Sequence, residues 1–248
     1  MNKLSVVVSY CSLDKRFIGP LLDQLLLFTD DIIVVYYDKL MNGDPEPVAD
    51  VWEYLKVDSK KIKGIKLKYS TKQSSRYFHN LARWEGYKAA KYDNLLFLDA
   101  DEIPDGQLFN TLLNNNAFKD IDAGDFSCYW YFRSAKYRAE QTEHCGLYIN
   151  KSLITEKLMF TEMERWSYRG VKNIRYGSMM QTDKPFIHHF SWTRTKEEML
   201  KKVSAWGHRH DRDWAAQIEE EFSRDFNGTD FVHNYSYNIV EDTFSIGI

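Results

Sequence analysis

The sequence predicts an α/β fold with a mostly parallel central sheet flanked by helices, and a short helical C-terminal part. Short β-branched runs alternate with helical patterns over the first hundred residues, as in strand–helix–strand units. These runs are almost wholly apolar, which is typical of parallel strands covered on both faces. We therefore predict one large domain over residues 1–225. The tail, 226–248, is expected to pack on it or to be partly extended.

The elements of the first half follow from this alternation. Four buried strands are predicted: residues 4–10, 31–38, 62–69 and 94–98. Apolar residues at helical spacing predict three helices between them: residues 16–28, 48–57 and 77–91. Since ligands of doubly wound sheets bind beyond the carboxyl ends of the strands, the residues that follow each strand are the first candidates for a site.

The second half carries weaker patterns. Strands are predicted over residues 125–133, 146–149 and 186–191. Thr195 and Glu198 have the spacing of a capping box, which predicts a helix that begins after Thr195.

Charge and composition exclude several classes of protein. The formal net charge is -3, so no overall basic field attracts nucleic acid, and a nucleic-acid partner is not expected. The three cysteines have no CxxC spacing, which favours a reducing compartment. No apolar run approaches the roughly 20 residues that a membrane span needs. A cytoplasmic protein without an integral membrane segment is expected.

Two carboxylates, Asp99 and Asp101, directly follow the strand at 94–98. In extended chain they point to the same side, where they repel each other unless protonated or neutralised by a cation. Oxygen ligands suit Mg²⁺ or Mn²⁺, and such an ion can hold a diphosphate. The alternative is an acidic loop that caps a helix at Asp105. The position at the end of a buried strand favours the metal-binding interpretation.

The segment LLFLDADEIPDG, residues 95–106, resembles the DxD region of glycosyltransferases with the Rossmann-like GT-A fold. Within it, residues 99–104 are similar to the β-1,4-mannosyl-glycoprotein N-acetylglucosaminyltransferases, and inverting family-2-type transferases are similar as well. Residues 83–86, RWEG, stand where that broader family often has Arg-Asn-x-Gly, with Trp84 in place of the asparagine.

A second stretch carries the same resemblance. HHFSW, residues 188–192, followed by Glu198, Lys202 and His208, is similar to a His-Phe-Ser…Lys…His stretch of those N-acetylglucosaminyltransferases. The matches cover scattered parts of residues 4–208.

The resemblance implies a hexosyl- or pentosyltransferase that uses a nucleoside diphosphate sugar and either Mn²⁺ or Mg²⁺. A UDP-sugar is the expected donor. The acceptor would be a hydroxyl of a glycan or another molecule, with inversion at the anomeric carbon. It also implies a set of donor-binding residues: Ser9 and Tyr10 beside the nucleotide, Asp38 on the base or ribose, and Arg83 and Asp99 at the diphosphate.

A histidine is the third candidate metal ligand beside Asp99 and Asp101. His188 and His189 are adjacent in a predicted strand, so their side chains point to opposite faces and at most one faces the site. His189 is preferred because it directly precedes Phe-Ser in the matching stretch. Neutral imidazole is a good ligand for Mn²⁺.

An inverting transfer also needs a general base that takes the proton of the acceptor hydroxyl. Glu162 and Glu164, in FTEMERW at 160–166, are the candidates. The alternative is that both are exposed charges paired with Arg165 or Lys157.

Competing functions are a nucleotidyltransferase, a non-catalytic sugar-binding module of the same fold and a metal-dependent phosphatase. A nucleotidyltransferase is expected to have a glycine-rich, basic segment after the first strand, whereas residues 10–14 are YCSLD. The intact acidic pair disfavours a non-catalytic module. A phosphatase would need an N-terminal aspartate nucleophile or a His-rich metal cluster, and neither is evident.

Overall fold

The computed structural model describes residues 3–47, 60–161, 163–179 and 184–248. The described residues form one sheet with helices on both faces, which confirms the predicted α/β class, and the sheet combines parallel and antiparallel pairs. The strands are β1 Leu4–Tyr10, β2 Ile32–Tyr37, β3 Ile62–Leu67, β4 Asn94–Asp99, β5 Glu102–Pro104, β6 Ala123–Phe132, β7 Ser134–Asn150, β8 Tyr176–Met179, β9 Ile187–Trp192 and β10 Tyr237–Ile239. The helices are α1 Lys15–Leu25, α2 Ser75–Ala89, α3 Gly106–Asn114, α4 Glu156–Met159, α5 Lys196–Ala205 and α6 Trp214–Glu221. The helix expected at 48–57 lies outside the described residues.

The first half of the sheet is parallel, in the order β3-β2-β1-β4. The chain moves outward from β1 through β2 to β3, and then returns to the other side of β1 with β4. This reversal creates a switch point between β1 and β4, where doubly wound folds bind ligands. Ser9 lies beside Asp99 in the register of β1 and β4, so the ends of the two strands meet at one edge.

Two apolar cores cover the two faces of β1. Val6 and Val8 pack with Phe17 of α1 on one face, and Val7 packs with Ala82 of α2 on the other. Gly86 allows α2 to lie close to the sheet, because a Cβ at that position would be 2.2 Å from Cγ1 of Val7. The packing of α2 on β1 directs its N-terminal part toward the carboxyl edge of the sheet.

The strand predicted at 146–149 is wrong in extent, since it is only the end of the long strand β7. β6 and β7 form a hairpin through Arg133, whose φ of 58° places it in the left-handed region. The first part of β7 mixes polar and apolar residues and contains no apolar run, so no strand was expected there. β7 also pairs antiparallel with β4, and it joins the parallel half to the rest of the sheet.

Helix boundaries differ from the predictions by a few residues. α1 ends at Leu25, and α2 begins at Ser75 because the Ser74 side chain caps the amide of Tyr77. The capping box of Thr195 and Glu198 is present at the start of α5, which confirms that prediction.

The C-terminal part packs on the antiparallel half. Met199 and Val203 of α5 and Ile218 of α6 share an aromatic-rich core with Trp192. Beyond α6, β10 pairs with β7, and Ile246 is buried. Among the helices that the structure describes, none has the length and apolar character to cross a membrane.

Candidate active site

A cavity of about 570 Å³ opens at the carboxyl ends of β1, β2 and β4. Side chains from α2, β6, β9, α5 and the 3-10 turn at Glu164–Tyr168 also line it, together with residues of the segments that follow β1 and β2. Most residues singled out in the sequence line this cavity: Ser9, Tyr10, Arg83, Asp99, Asp101, Glu164 and His189. The fold therefore brings together residues that are up to 180 positions apart, between Ser9 and His189.

The turn after β4 holds the two aspartates in different environments. Asp99 is the last residue of β4, and its amide donates to Oε2 of Glu102 over 2.9 Å. Glu102 itself is fully buried at the start of β5, which pairs with β9. Asp105 caps α3 by accepting a hydrogen bond from the amide of Leu108. Helix capping is therefore the role of Asp105 and does not account for Asp99 and Asp101.

Asp99 faces the cavity with few direct contacts. Its Oδ1 is 3.6 Å from Nη2 of Arg83, and its Oδ2 is 3.5 Å from Nη2 of Arg165. Oδ1 is buried and accepts no hydrogen bond from the described residues. Burial alone would raise the pKa of Asp99, but the guanidinium groups of Arg165 and Arg83 hold it below its usual value.

Asp101 is surrounded by three basic side chains. Nζ of Lys202 donates to Oδ2 of Asp101 over 3.1 Å, and Nη2 of Arg194 is 3.7 Å from the same oxygen. Nε2 of His189 lies 3.6 Å from Oδ1. Burial opposes ionisation of Asp101, yet Lys202, His189 and Arg194 together hold its pKa well below the usual range. Lys202 also donates to the carbonyl and hydroxyl oxygens of Ser191, so its three donors are all used.

His189 and His188 lie on opposite faces of β9, as alternation in a strand requires. His189 lines the cavity, and although burial lowers its pKa, Asp101 and Cys128 raise it to about 10. His188 lies in the core, where the hydroxyl of Tyr131 is 2.7 Å from its Nδ1. Burial lowers the pKa of His188 to about 4, which keeps it neutral.

The 3-10 turn at Glu164–Tyr168 supplies a second set of charges. Arg165 donates both Nη atoms to the carboxylate of Glu102, over 2.6 and 2.7 Å. This fork fixes the guanidinium 3.5 Å from Asp99. Glu164 has a φ of 48° and accepts from Nη1 of Arg83 over 3.0 Å.

Of the two candidate bases, Glu162 and Glu164, the structure describes the surroundings of Glu164 alone. Burial raises the pKa of Glu164, but the charges of Arg83 and His79 and the hydrogen bond from Arg83 together hold the pKa below the usual value. A carboxylate with a lowered pKa is a weaker base, so this ion pair disfavours Glu164 in that role. Glu162 lies outside the described residues.

Asp38 is not among the residues that line the cavity. Its Oδ1 accepts from the amide of Tyr69 over 2.8 Å, a contact that ties the end of β2 to the residues after β3. The expected contact with the base or ribose stays a prediction.

Arg165 and Arg194 are site residues that the sequence analysis did not propose. The sequence indicates Arg165 only as a partner of the neighbouring glutamates, and no motif points to Arg194. The one feature of the sequence that could indicate Arg194 as a site residue is its position between the end of β9 and the capping box of α5. Arg194 is fully buried and pairs with Asp14 as well as with Asp101, which joins the segment after β1 to the turn after β4.

The donor set agrees in chemistry with a hard divalent ion. Within the described ranges, no group of three or more His, Cys, Asp or Glu side chains is arranged to hold a metal ion. Mg²⁺ is commonly bound by one or two carboxylates and completed by water and substrate phosphates, so such a group is not required. The buried, unpartnered Oδ1 of Asp99 fits a ligand of that kind.

Comparisons with known proteins return structures of low similarity. Scans against protein-family models and against curated proteins find no match. Among solved structures, S. aureus TarS 1–349 has a TM-score of 0.48 and 14% identity and covers 96% of each chain. TarS 1–349 in complex with UDP-GlcNAc has a TM-score of 0.45 and 16% identity, over 89% of this chain and 73% of that one.

The glycosyltransferase GlyE in Streptococcus pneumoniae TIGR4 has a TM-score of 0.44 and 14% identity, over 90% of this chain and 64% of that one. All three TM-scores are below 0.5, so a functional assignment has to come from the cavity itself.

Proposed function

We propose that this protein is a glycosyltransferase that moves a sugar from a nucleoside diphosphate sugar to an acceptor hydroxyl. The observation that carries the proposal is the environment of Asp99. One of its carboxylate oxygens is buried and accepts no hydrogen bond within the described ranges, and two arginines flank the side chain at the switch point of the parallel strands. A carboxylate in this position suits a divalent cation, and the adjacent guanidinium groups suit a diphosphate. Both are needed to hold the leaving group of such a donor.

Arg83 and Arg165 are the proposed ligands of the diphosphate. Each directs one Nη2 atom toward Asp99 while its other contacts hold it in place, on Glu164 for Arg83 and on Glu102 for Arg165. Because the two groups are fixed before the donor binds, they offset the negative charge that develops on the leaving diphosphate without reorganising.

Asp99, Asp101 and His189 are the residues that would hold Mn²⁺ or Mg²⁺. The bound ion would supply a positive charge that stabilises the departing diphosphate. His189 can bind a metal ion only as neutral imidazole. Because its pKa is raised to about 10, the imidazole must lose a proton before its Nε2 can bind the ion. Asp99 is thus the first ligand to test.

Inversion at the anomeric carbon is part of the proposal and requires a base on the acceptor side. Glu162 and Glu164 remain the candidates, with Glu164 disfavoured by its ion pair with Arg83. The similarity of residues 99–104 and 188–192 to N-acetylglucosaminyltransferases supports UDP-GlcNAc as the first donor to test, with a glycan as the acceptor.

The test is a turnover assay with a panel of UDP-, GDP-, CDP- and ADP-sugars, Mn²⁺ and a mixture of glycan acceptors. We expect release of one nucleoside diphosphate and a glycoside whose anomeric configuration, measured by NMR, is opposite to that of the donor. Asp99→Asn should abolish this release, and the matched variant Asp105→Asn, which changes the cap of α3 and an ion pair with Lys184, should retain it.

Two outcomes would contradict the proposal. Formation of a nucleoside diphosphate sugar and pyrophosphate from a nucleoside triphosphate and a sugar phosphate would identify a nucleotidyltransferase. Tight binding of a sugar nucleotide without turnover on any acceptor would identify a binding module.

A further inference from the structure

The same cavity contains a second buried carboxylate, Glu46, which takes no part in the proposed diphosphate site. Glu46 lies in the loop after β2, is 6% exposed and lines the cavity. Its backbone amide donates to the carbonyl of Asp38 over 3.0 Å, which fixes the loop against the end of β2.

The two oxygens of Glu46 are in different situations. Oε1 accepts from the amide of Ser12 over 2.7 Å. Oε2 is buried and has no hydrogen-bond partner among the described residues. Burial raises the pKa of Glu46, and the charge of Asp14 adds to this. A ligand that donated a hydrogen bond to Oε2 would remove the cost of leaving it unpaired.

The surroundings of Glu46 differ from those of the acidic pair. Tyr10, Leu40 and Met41 line the cavity with it, and they offer aromatic and apolar surface. The arginines of the proposed diphosphate site contact Asp99 instead. Aromatic and apolar surface beside an oriented carboxylate is suited to a nucleoside, whereas a phosphate would be repelled by Glu46 and Asp14.

The position of Glu46 relative to the diphosphate site is fixed through the segment after β1. Glu46 holds the amide of Ser12, and Asp14 of the same segment pairs with Arg194, which also contacts Asp101. Because β1 lies between β2 and β4 in the sheet, Glu46, which follows β2, and Asp99, which ends β4, line the cavity on opposite sides of β1, as the nucleoside and diphosphate ends of a donor would require.

We propose that Oε2 of Glu46 accepts a hydrogen bond from an N–H or O–H group of the donor's nucleoside. This inference rests on the proposed function, and it assigns nucleoside recognition to Glu46. Glutamine at this position keeps an oxygen for the Ser12 amide but presents an NH₂ group where the acceptor was. Glu46→Gln is therefore the informative substitution, and it retains the contact that holds the loop.

The experiment is calorimetry in Mn²⁺ with the tightest ligand among UDP, GDP, CDP and ADP, and with inorganic pyrophosphate as a probe without a nucleoside. We expect Glu46→Gln to weaken the nucleoside diphosphate by about 10- to 100-fold, as for loss of a hydrogen bond to a charged group. Binding of pyrophosphate should be unchanged. Asp44→Asn is the matched control, because Asp44 is an exposed carboxylate of the same loop, and it should bind both probes like the unmodified protein.

Equal loss of both probes, or no loss of either, would overturn the role of Glu46 while leaving the proposed function standing. Absence of binding of all four nucleotides by the folded, unmodified protein would instead overturn the proposed function, and the inference with it. The 2′-deoxy form of the bound nucleotide locates the donor group: insensitivity to Glu46→Gln would identify the 2′-hydroxyl, and retained sensitivity would identify another group of the nucleoside.

Discussion

Asp99 and Asp101 are two positions apart, at the same edge of the sheet and in the same cavity, yet their surroundings differ. Asp101 has a 9% exposed side chain, and Lys202, Arg194 and His189 are within 3.1 to 3.7 Å of it. Asp99 has a 34% exposed side chain, two guanidinium groups at 3.5 to 3.6 Å and one oxygen without a hydrogen bond from the described residues. An ion that bound Asp101 would have to share this carboxylate with the three basic side chains of the protein, whereas Oδ1 of Asp99 has no hydrogen-bond partner in the described part of the chain.

This difference suggests a division of roles. Asp101 joins the turn after β4 to α5 through Lys202 and to the segment after β1 through Arg194. Asp99 lines the cavity, lies 3.5 to 3.6 Å from its two arginines, and has an Oδ1 without a hydrogen-bond partner among the described residues. We therefore expect loss of Asp101 to affect the fold first, and loss of Asp99 to affect ligand binding first.

The largest expected effect is that of Asp101→Asn on stability. Removing this charge leaves Lys202, Arg194 and His189 without their shared counter-ion in a buried site, and we expect the free energy of unfolding to fall by about 3 kcal/mol. Urea denaturation measures the change. The same substitution at Asp99 should cost less than about 1 kcal/mol, because its side chain is more exposed and its two arginines each keep another carboxylate partner, Glu164 for Arg83 and Glu102 for Arg165. Equal losses in the two variants would refute the division of roles.

The second effect is a loss of stability at alkaline pH. The folded pKa of His189 is raised to about 10, above the unfolded value of about 6.5, so its contribution is fully present below pH 6.5 and is lost as the pH rises toward 10. We expect the free energy of unfolding to fall by on the order of 2 kcal/mol between pH 7 and pH 9.

Asp101→Asn removes the main partner of the imidazolium, and the loss of stability between pH 7 and pH 9 should therefore be smaller in that variant. The histidine signals in NMR titrations report the pKa directly. An unchanged pKa of His189 in Asp101→Asn would contradict the pairing.

The smallest expected effect in free energy is that of Asp99→Asn on ligand affinity. An amide oxygen is a poorer ligand for a divalent ion than a carboxylate, and we expect nucleoside diphosphate binding in Mn²⁺ to weaken at least about tenfold. In EDTA the variant and the unmodified protein should bind alike, since the difference arises only when the ion is present. A tenfold loss that persists in EDTA would instead show that Asp99 acts through Arg83 and Arg165.

The same comparison shows how far the sequence could be interpreted. The acidic pair follows an apolar run that can only be a buried strand, and alternation in β9 separates His188 from His189. The partners of the pair could not be found in this way. Lys202 is 101 positions from Asp101, and Arg165 is 63 positions from Glu102, so no local pattern connects them.

Contacts between residues far apart in the sequence also decide what the sequence alone leaves open. Asp38 has the expected residue type at the end of a strand, and the amide of Tyr69, 31 positions away, donates to its Oδ1, so the contact with the base or ribose stays a prediction. No local sequence pattern distinguishes Glu46 from a solvated loop residue. Its burial and its contact with Ser12, which are visible only in the structure, make the distinction. The first part of β7 owes its strand conformation to pairing with β6 and β10 rather than to its own sequence.

The most direct test of the central claim is calorimetry of the unmodified protein with UDP, GDP, CDP and ADP, first in Mn²⁺ and then in EDTA. The account predicts that one nucleotide class binds in Mn²⁺ and that EDTA removes most of this affinity. Binding that is equally tight in EDTA would contradict the role given to Asp99, and absence of binding by the folded protein in either condition would contradict the proposed transferase.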